Sequence, residues 1–283
     1  MKKYLVIGNP IEHSLSPQLH NYWFQKAGID AVYNKKNINE NDIKGIIDEV
    51  KNDKINGVNV TVPFKKSIIP FLDKLTPEAD KVQSVNTIFK KNNKIIGANT
   101  DIWGFEHSLI NHEDDFKWDT GQPLKNKKVF ILGAGGVASS IIFVLKKMGV
   151  SKITLSNRTK KRAENLKKMY PSLEIIDWGK STEFDMIINA TSLGLKDEDK
   201  IELDFRSDNQ KKIFYDLIYK TRGKQTDFIS KAQKLGHITL NGSLMFIYQA
   251  AAAFDLWNKH NLDWSPNIYI DAIEELDLTL PGK

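Results

Sequence analysis

The sequence predicts an α/β protein of two lobes, the second built on a doubly wound sheet. Three observations carry this. Short apolar or β-branched runs alternate with segments of helical period along most of the chain. Residues 111–127 interrupt that alternation with a polar stretch that contains Gly and Pro and has no period. Directly after it, Val129-Phe130-Ile131-Leu132 runs into Gly133-Ala134-Gly135-Gly136 and then a helical pattern. That is the strand–turn–helix context in which a G-x-G-x-x-G/A run has meaning. A crevice between the lobes is the expected place for a ligand.

In the first lobe, residues 4–8 read as a strand. Ser16 is placed to cap a helix that opens on Pro17 and is closed by Gly28. Residues 31–38 form a second strand, and Asn39 or Asn41 caps a helix to about residue 50. The run 57–63, GVNVTVP, alternates and is β-branched, so it is a third strand. Residues 64–75 have helical spacing, and a further helix follows Pro77. Strands at 85–89 and 95–98 are joined by Lys90-Lys91-Asn92-Asn93-Lys94, and a helix from about 102 to 110 leaves the lobe.

In the second lobe, the strand 129–132 leads to a helix over 137–148 that Gly149 closes. A strand at 152–156, a helix at 162–169 and strands near 173–176 and 185–190 follow. A strand at 212–217, a helix at 223–235 ended by Gly236 and a strand at 237–240 complete the sheet. A long apolar helix runs from 243 to about 260.

Composition narrows the class. With 41% hydrophobic and 27% charged residues, the chain is globular rather than disordered. No apolar run approaches the ~20 residues of a membrane span, so no membrane association is expected. The start, MKKYLVIGNP, lacks the longer apolar region and small-residue cleavage site of a signal peptide. The absence of cysteine excludes disulfides and thiolate ligands and fits a cytoplasmic protein. The net charge of +6 is spread as lysine pairs without an aromatic-interleaved stripe, which suits small anions rather than nucleic acid. The six histidines show no metal-ligand spacing, and no metal is expected.

The Gly-rich segment specifies a cofactor. Gly133 makes the tight turn, Gly135 lets a pyrophosphate approach the backbone, and Ala138 permits close helix–strand packing. With Ala134, Gly136 and Val137, these residues lead into a helix N-terminus whose N–H groups face an anion. The next strand ends in Asn157-Arg158-Thr159, followed by Lys160, Lys161 and Arg162, with no acid before Glu164. An NAD site places Asp or Glu there to hold the ribose 2′-OH, whereas arginine suits a 2′-phosphate. The expected cofactor is therefore NADP(H), in a Rossmann-type lobe.

Hydride transfer needs an acid/base group besides the cofactor. Lys65 and Asp101 each follow a predicted strand, where α/β sheets collect ligands. Together they would relay a proton. By spacing alone, a surface ion pair or two unrelated charges is the commoner outcome in a chain with 41 Lys and Arg. Ser14, Ser16, Asn59, Thr61 and Asn86 also lie at strand ends or turns and suit a polyhydroxylated substrate. Each taken singly is equally a cap or turn residue.

Taken jointly, these segments resemble shikimate dehydrogenase over nearly the whole chain. The matching segments in the first lobe are Gly8-Asn9-Pro10, Ser14-Leu15-Ser16-Pro17, residues 57–65, Val85-Asn86-Thr87 and Asn99-Thr100-Asp101. In the second they are the Gly-rich turn, Asn157-Arg158-Thr159, residues 189–194 and Asp216-Leu217-Ile218-Tyr219, then Gly242 with Met245 and Gln249. The resemblance implies NADPH-dependent reduction of 3-dehydroshikimate to shikimate on the route to aromatic amino acids. It implies Lys65 as the acid/base, Asp101 as its partner, and Ser14 and Ser16 at the substrate carboxylate. Asn59, Thr61, Asn86, Tyr219 and Gln249 would surround the hydroxyls and ring. Thr191, Ser192 and Gly242 would line the nicotinamide side. It also implies a chain return, giving a substrate domain of 1–110 plus 243–283 and an NADP-binding domain of 111–242, as a monomer or homodimer.

Departures from the family pattern are Gln83-Ser84 before Val85, Ala98 before Asn99, Lys220-Thr221-Arg222 after Tyr219, and a longer stretch around 112–122. Two rival readings remain, a quinate/shikimate dehydrogenase and a non-catalytic NADPH-binding sensor on the same fold. The serine pair and the basic strand end favour shikimate with NADP over the first. Retention of both Lys65 and Asp101 opposes the second.

Overall fold

The structure, a computed structural model, describes residues 1–110, 124–203, 210–258 and 266–279. Most of the predicted boundary stretch, the end of the predicted long helix and residues 280–283 lie outside the described residues. The chain divides into two compact units, Met1–Phe105 with Ile247–Leu276, and Glu106–Phe246 with Asp277–Lys283. No described helix is long and apolar enough to cross a membrane.

The first unit holds strands β1 (Lys2–Gly8), β2 (Ala31–Asn37), β3 (Gly57–Val60), β4 (Lys74–Leu75), β5 (Thr87–Lys91) and β6 (Lys94–Ala98). They form one sheet in the order β2-β1-β3-β5-β6-β4. The sheet is mixed: β1 pairs in parallel with β2 and β3, while β5 is antiparallel to both β3 and β6. The β5–β6 hairpin turns on Asn92 and Asn93, at φ 51° and 58°. A two-residue hairpin loop of this kind needs positive φ at both positions, which Asn tolerates.

Helices α1 (Ser16–Lys26) and α2 (Ile43–Lys51) follow β1 and β2. Ile43, Ile46, Ile47 and Val50 of α2 pack with Ile7, Val58 and Ile88 on one face of the sheet. The opposite face carries an aromatic cluster. Tyr4 of β1 and Tyr33 of β2 meet His20 and Phe24 of α1, together with Phe254 and Trp257 of a later helix.

His20 is fully buried there, its ring stacked on Tyr33 at 4.4 Å, and neither ring nitrogen has a partner among the described residues. Burial pushes its pKa down to about 3. Because the folded value lies below the ordinary ~6.5, the unfolded chain takes up a proton that the folded chain refuses. This contribution is intact above pH ~6.5 and is lost as pH falls, by up to ~1.4 kcal/mol per pH unit, toward pH ~3. His20→Phe should flatten the stability of the protein between about pH 4 and 6.5 in denaturant titrations. An unchanged slope against pH would place the acid sensitivity elsewhere.

Three local expectations are corrected. Ser16 is the first residue of α1 rather than its cap; Leu15 sits at the cap, and the Ser14 hydroxyl accepts from Ser16 N at 3.3 Å. Asn39 caps a short 3₁₀ turn, Glu40–Asp42, before α2 begins. Residues 64–75 do not form an α-helix. One i→i+4 bond, from Ile68 N to Phe64 O, is followed by a 3₁₀ turn at Ile69–Phe71 and by β4. Pro70 accounts for the failure, since it lacks an N–H and disfavours helical geometry in the residue before it.

Helix α3 (Pro77–Val82) is capped by Thr76 and ends on Gln83, which adopts the left-handed conformation at φ 48°, ψ 47°. This is the first family departure noted in the sequence. The Gln83 amide partly compensates by donating to Asp80 O at 2.6 Å and Asp80 Oδ1 at 3.0 Å. Gln83→Gly should raise stability by about 0.5–1 kcal/mol, the left-handed penalty less the extra chain entropy of glycine. The midpoint of denaturation should rise with its slope unchanged, and a lower midpoint would refute the strain. Helix α4 (Asp101–Ile110) follows β6.

The second unit contains β7 (Lys128–Leu132), α5 (Ala138–Lys147), β8 (Lys152–Ser156), α6 (Lys160–Met169), β9 (Glu174–Ile176), β10 (Met186–Asn189), β11 (Ile213–Asp216), α7 (Asp227–Lys234) and β12 (Ile238–Leu240). The sheet order is β12-β11-β10-β7-β8-β9, with every pairing parallel. Its first three strands run one way from β7 and the next three run the other way, which is the doubly wound Rossmann order. The strands read as near-continuous apolar runs because both faces are buried. Helix α7 starts later than predicted because the Thr226 hydroxyl caps it, accepting from Ile229 N.

Helix α8 (Ser243–Asn258) begins at the end of the second unit and continues into the first. The Trp257 indole donates to Ile88 O at 3.0 Å, and its ring occupies the space a side chain at Gly57 would need. Helix α9 (Pro266–Glu275) was not anticipated from the sequence.

Candidate active site

In the first unit, the polar residues after β3 and at the β5–β6 pair converge. Lys65 and Asp101 are 8% and 5% exposed, and Lys65 Nζ donates to Asp101 Oδ2 at 2.6 Å. They are therefore a buried ion pair, not the surface pair that spacing alone favours. Lys65 is positioned from a turn rather than a helix, and its carbonyl accepts from Val85 N at 2.8 Å. Asp101 is the first residue of α4, where a negative charge is favoured by the helix dipole.

Asn86 joins this pair to its surroundings. Its Nδ2 donates to Asp101 Oδ1 and lies equally close to Thr100 Oγ1, each at 2.9 Å. Its Oδ1 accepts from Thr100 N at 2.7 Å. The Gln249 Oε1 of α8 approaches Asn86 Nδ2 at 3.4 Å. Asn59 is buried alongside, with Nδ2 donating to Asn86 O and Thr87 Oγ1, each at 3.0 Å. Thr61 is half-buried just beyond β3, and its N–H donates to Ile7 O. A side chain at Gly8 would collide with Thr61 Cγ2. Ser14 is half-buried and Ser16 buried at the start of α1.

In the second unit, the Gly-rich turn lies beyond the ends of β7 and β10, the two strands between which the winding reverses. A Cβ at Gly133, which has φ 106°, would meet Ala190 O at 2.7 Å. At Gly135 the nearest such atom is Ala190 O at 3.8 Å, so the space above this residue is open to a ligand. No side chain caps α5, and at its start the Ala138 N–H donates to Gly135 O at 3.2 Å. The turn is tied to β8 by Asn157, whose Oδ1 accepts from Ala134 N at 2.9 Å and whose Nδ2 donates to Thr159 O. Arg158 and Arg162 are exposed and make no ion pair among the described residues. Lys160 is paired with Asp177 at 3.4 Å. A backbone cradle with two available guanidinium groups fits a dinucleotide that carries an extra phosphate.

Buried Asp216 organises the loops at the ends of β10 and β11. It accepts from Asn189 Nδ2, Ile218 N and Thr226 Oγ1. Burial pushes its pKa up to about 7, although these three donors pull the other way. Asn189 Oδ1 in turn accepts from the N–H and hydroxyl of Thr191. Ser192 is exposed in the same loop. Gly242 has no room for a side chain, because a Cβ there would overlap Leu217 O. Tyr219 is half-buried, its ring stacked on Phe246 at 4.6 Å. Among the described residues no cluster of His, Cys, Asp or Glu could hold a metal.

Comparison with known proteins identifies the arrangement. The model of the shikimate dehydrogenase substrate binding domain matches residues 6–88, and that of shikimate / quinate 5-dehydrogenase matches residues 117–217. The shikimate dehydrogenase (NADP(+)) of Pelagibacter ubique (strain HTCC1062) is 55% identical over 258 residues, covering 91% of this chain and 94% of that protein. The crystal structure of shikimate dehydrogenase from Aquifex aeolicus superposes with a TM-score of 0.82 at 35% identity, covering 96% of this chain and 97% of its own. The shikimate 5-dehydrogenase of Thermus thermophilus, in complex with NADP(H) and shikimate, gives 0.81 at 30% identity, covering 98% of this chain and all of its own. The chain belongs to the shikimate dehydrogenase family of NADP-dependent oxidoreductases.

Proposed function

We propose that the protein reduces 3-dehydroshikimate to shikimate with NADPH, in the biosynthesis of aromatic amino acids. The observation that carries this is the buried Lys65–Asp101 pair at 2.6 Å, surrounded by Asn59, Asn86, Thr100 and Gln249. A polyhydroxylated ring needs such a density of donors and acceptors, and a site built for each hydroxyl discriminates strongly against its absence.

NADPH supplies the hydride when bound. Lys65 delivers a proton to the carbonyl oxygen as negative charge grows there. Asp101 Oδ2 holds the ammonium group in place, while Asn86 fixes Asp101 through Oδ1. Ser14 and Ser16 bind the substrate carboxylate, remote from the reacting carbon, and Thr61, Tyr219 and Gln249 bind around the ring. Gly133 to Ala138 hold the pyrophosphate. Asn157, Arg158, Thr159 and Arg162 surround the adenosine ribose with its 2′-phosphate. Thr191, Ser192 and Gly242 line the nicotinamide side.

The test is a spectrophotometric assay of the purified protein with shikimate and quinate, each with NADP and NAD. Turnover should be greatest with shikimate and NADP. Equal or better turnover of quinate would make the enzyme a quinate/shikimate dehydrogenase. NADPH binding without turnover of either would indicate a sensor.

A further inference from the structure

Tyr33 has no place in the chemistry proposed so far, yet it lies at the start of a buried chain of hydrogen bonds that ends on Asp101. Its side chain is fully buried in β2, beneath the polar cluster. The phenol donates to Asn59 Oδ1 at 2.7 Å. Burial holds the Tyr33 phenol well above its ordinary pKa, so it remains a neutral donor.

Counting hydrogens shows what this donor decides. An amide side chain has two N–H donors at one end and an acceptor at the other. With Oδ1 turned to the phenol, Asn59 Nδ2 gives both hydrogens away, to Asn86 O and Thr87 Oγ1. Thr87 Oγ1, having accepted from Asn59, donates its own hydrogen to Asn86 Oδ1 at 3.1 Å. Asn86 Oδ1 faces Thr87 and the Thr100 N–H, a fixed donor, and Asn86 Nδ2 faces the Asp101 carboxylate, a fixed acceptor. The phenol hydrogen holds the Asn59 amide at one end while the Asn86 carbonyl accepts from it at the other. It also leaves Asn59 only one free lone pair on Oδ1, so Asn59 meets a substrate hydroxyl as an acceptor.

We propose that Tyr33 is a positioning residue of the substrate site, fixing the amide of Asn59 and, through it, the backbone at Asn86. The inference rests on the shikimate reading above.

The test compares wild type, Tyr33→Phe, Asn59→Ala and the double variant, with steady-state kinetics in shikimate and in NADP well below the unfolding temperature. The phenylalanine ring keeps the stack on His20 and removes one hydroxyl. KM for shikimate should rise about 5- to 20-fold in Tyr33→Phe, the size expected for one buried hydrogen bond, with kcat changed far less and KM for NADP unchanged. In the Asn59→Ala background the same change should have little further effect, because the two act as one unit. A purely packing role would lower thermal stability and leave the two KM values alone. If KM for shikimate in Tyr33→Phe stays within about twofold of wild type, or the two changes are additive, the positioning role is overturned. Wild-type protein that turns over no shikimate would instead overturn the function, and the positioning role with it.

Discussion

Lys65→Ala is expected to lower kcat by at least about 10²-fold, the ordinary worth of a positioned proton donor. NADPH affinity should stay near normal, since the Gly-rich cradle belongs to the second unit and Lys65 to the first. Asp101→Asn should lower kcat and also raise KM for shikimate. It removes the charge that holds the ammonium group, and its amide would present hydrogens to either Lys65 Nζ or Asn86 Nδ2, both of which are donors. Breaking a buried ion pair by removing one partner leaves the other uncompensated, so each single variant should also lose stability. The kinetic losses should not sum in the double variant. Near-normal turnover in Lys65→Ala, or simple additivity, would remove the relay from the mechanism, and Tyr219 would become the first alternative acid.

Arg158→Ala should raise KM for NADP(H) by about 10- to 100-fold, because hydrogen bonds to a charged group contribute about 1.5–3 kcal/mol. KM for NAD(H) should shift by no more than about twofold, since NAD has no 2′-phosphate. The assignment draws on position as well as charge. Asn157, the residue before it, bonds the Gly-rich turn at Ala134, so the Arg158 backbone is fixed relative to the pyrophosphate cradle. Lys160 is engaged with Asp177, which leaves Arg162 as the supporting cation. Equal loss with both cofactors would show that Arg158 does not discriminate between them.

The elements that sequence reading found best were those with strong local punctuation. β8 was read at its observed bounds, and the glycine at 149 closes its helix with φ 77°. Local pattern failed where a distant partner or a single residue overrode it. Residues 64–75 have helical spacing, but Pro70 breaks the ladder. Helix α9 was missed although Ser265-Pro266 is the same kind of start signal as Ser16-Pro17. The candidate site was only partly legible for a related reason. Lys65 and Asp101 stand out as charges at strand ends, but nothing local brings Gln249 to Asn86, 163 residues away. Only the family resemblance nominated it. Tyr33 was invisible because an aromatic residue at the apolar start of a strand reads as core. Its phenol acquires meaning only when β3, on the far side of β1, presents Asn59.

The first unit is discontinuous in sequence, which has a consequence for how the protein is made. Tyr4 Oη donates to Asn258 Oδ1, and Tyr4, Phe24 and Tyr33 pack against Phe254 and Trp257. During synthesis those early residues leave the ribosome long before α8 does. At translation rates of about 5–20 residues per second, one face of the β1–β3 sheet waits roughly 10–50 s for its cover. The main segment of the second unit, Glu106–Phe246, emerges within that interval and has its own core to collapse on. The nascent chain therefore passes through a stage in which the core of the nucleotide-binding half is in place and the other half still exposes aromatic surface, which is when a chaperone has most to protect.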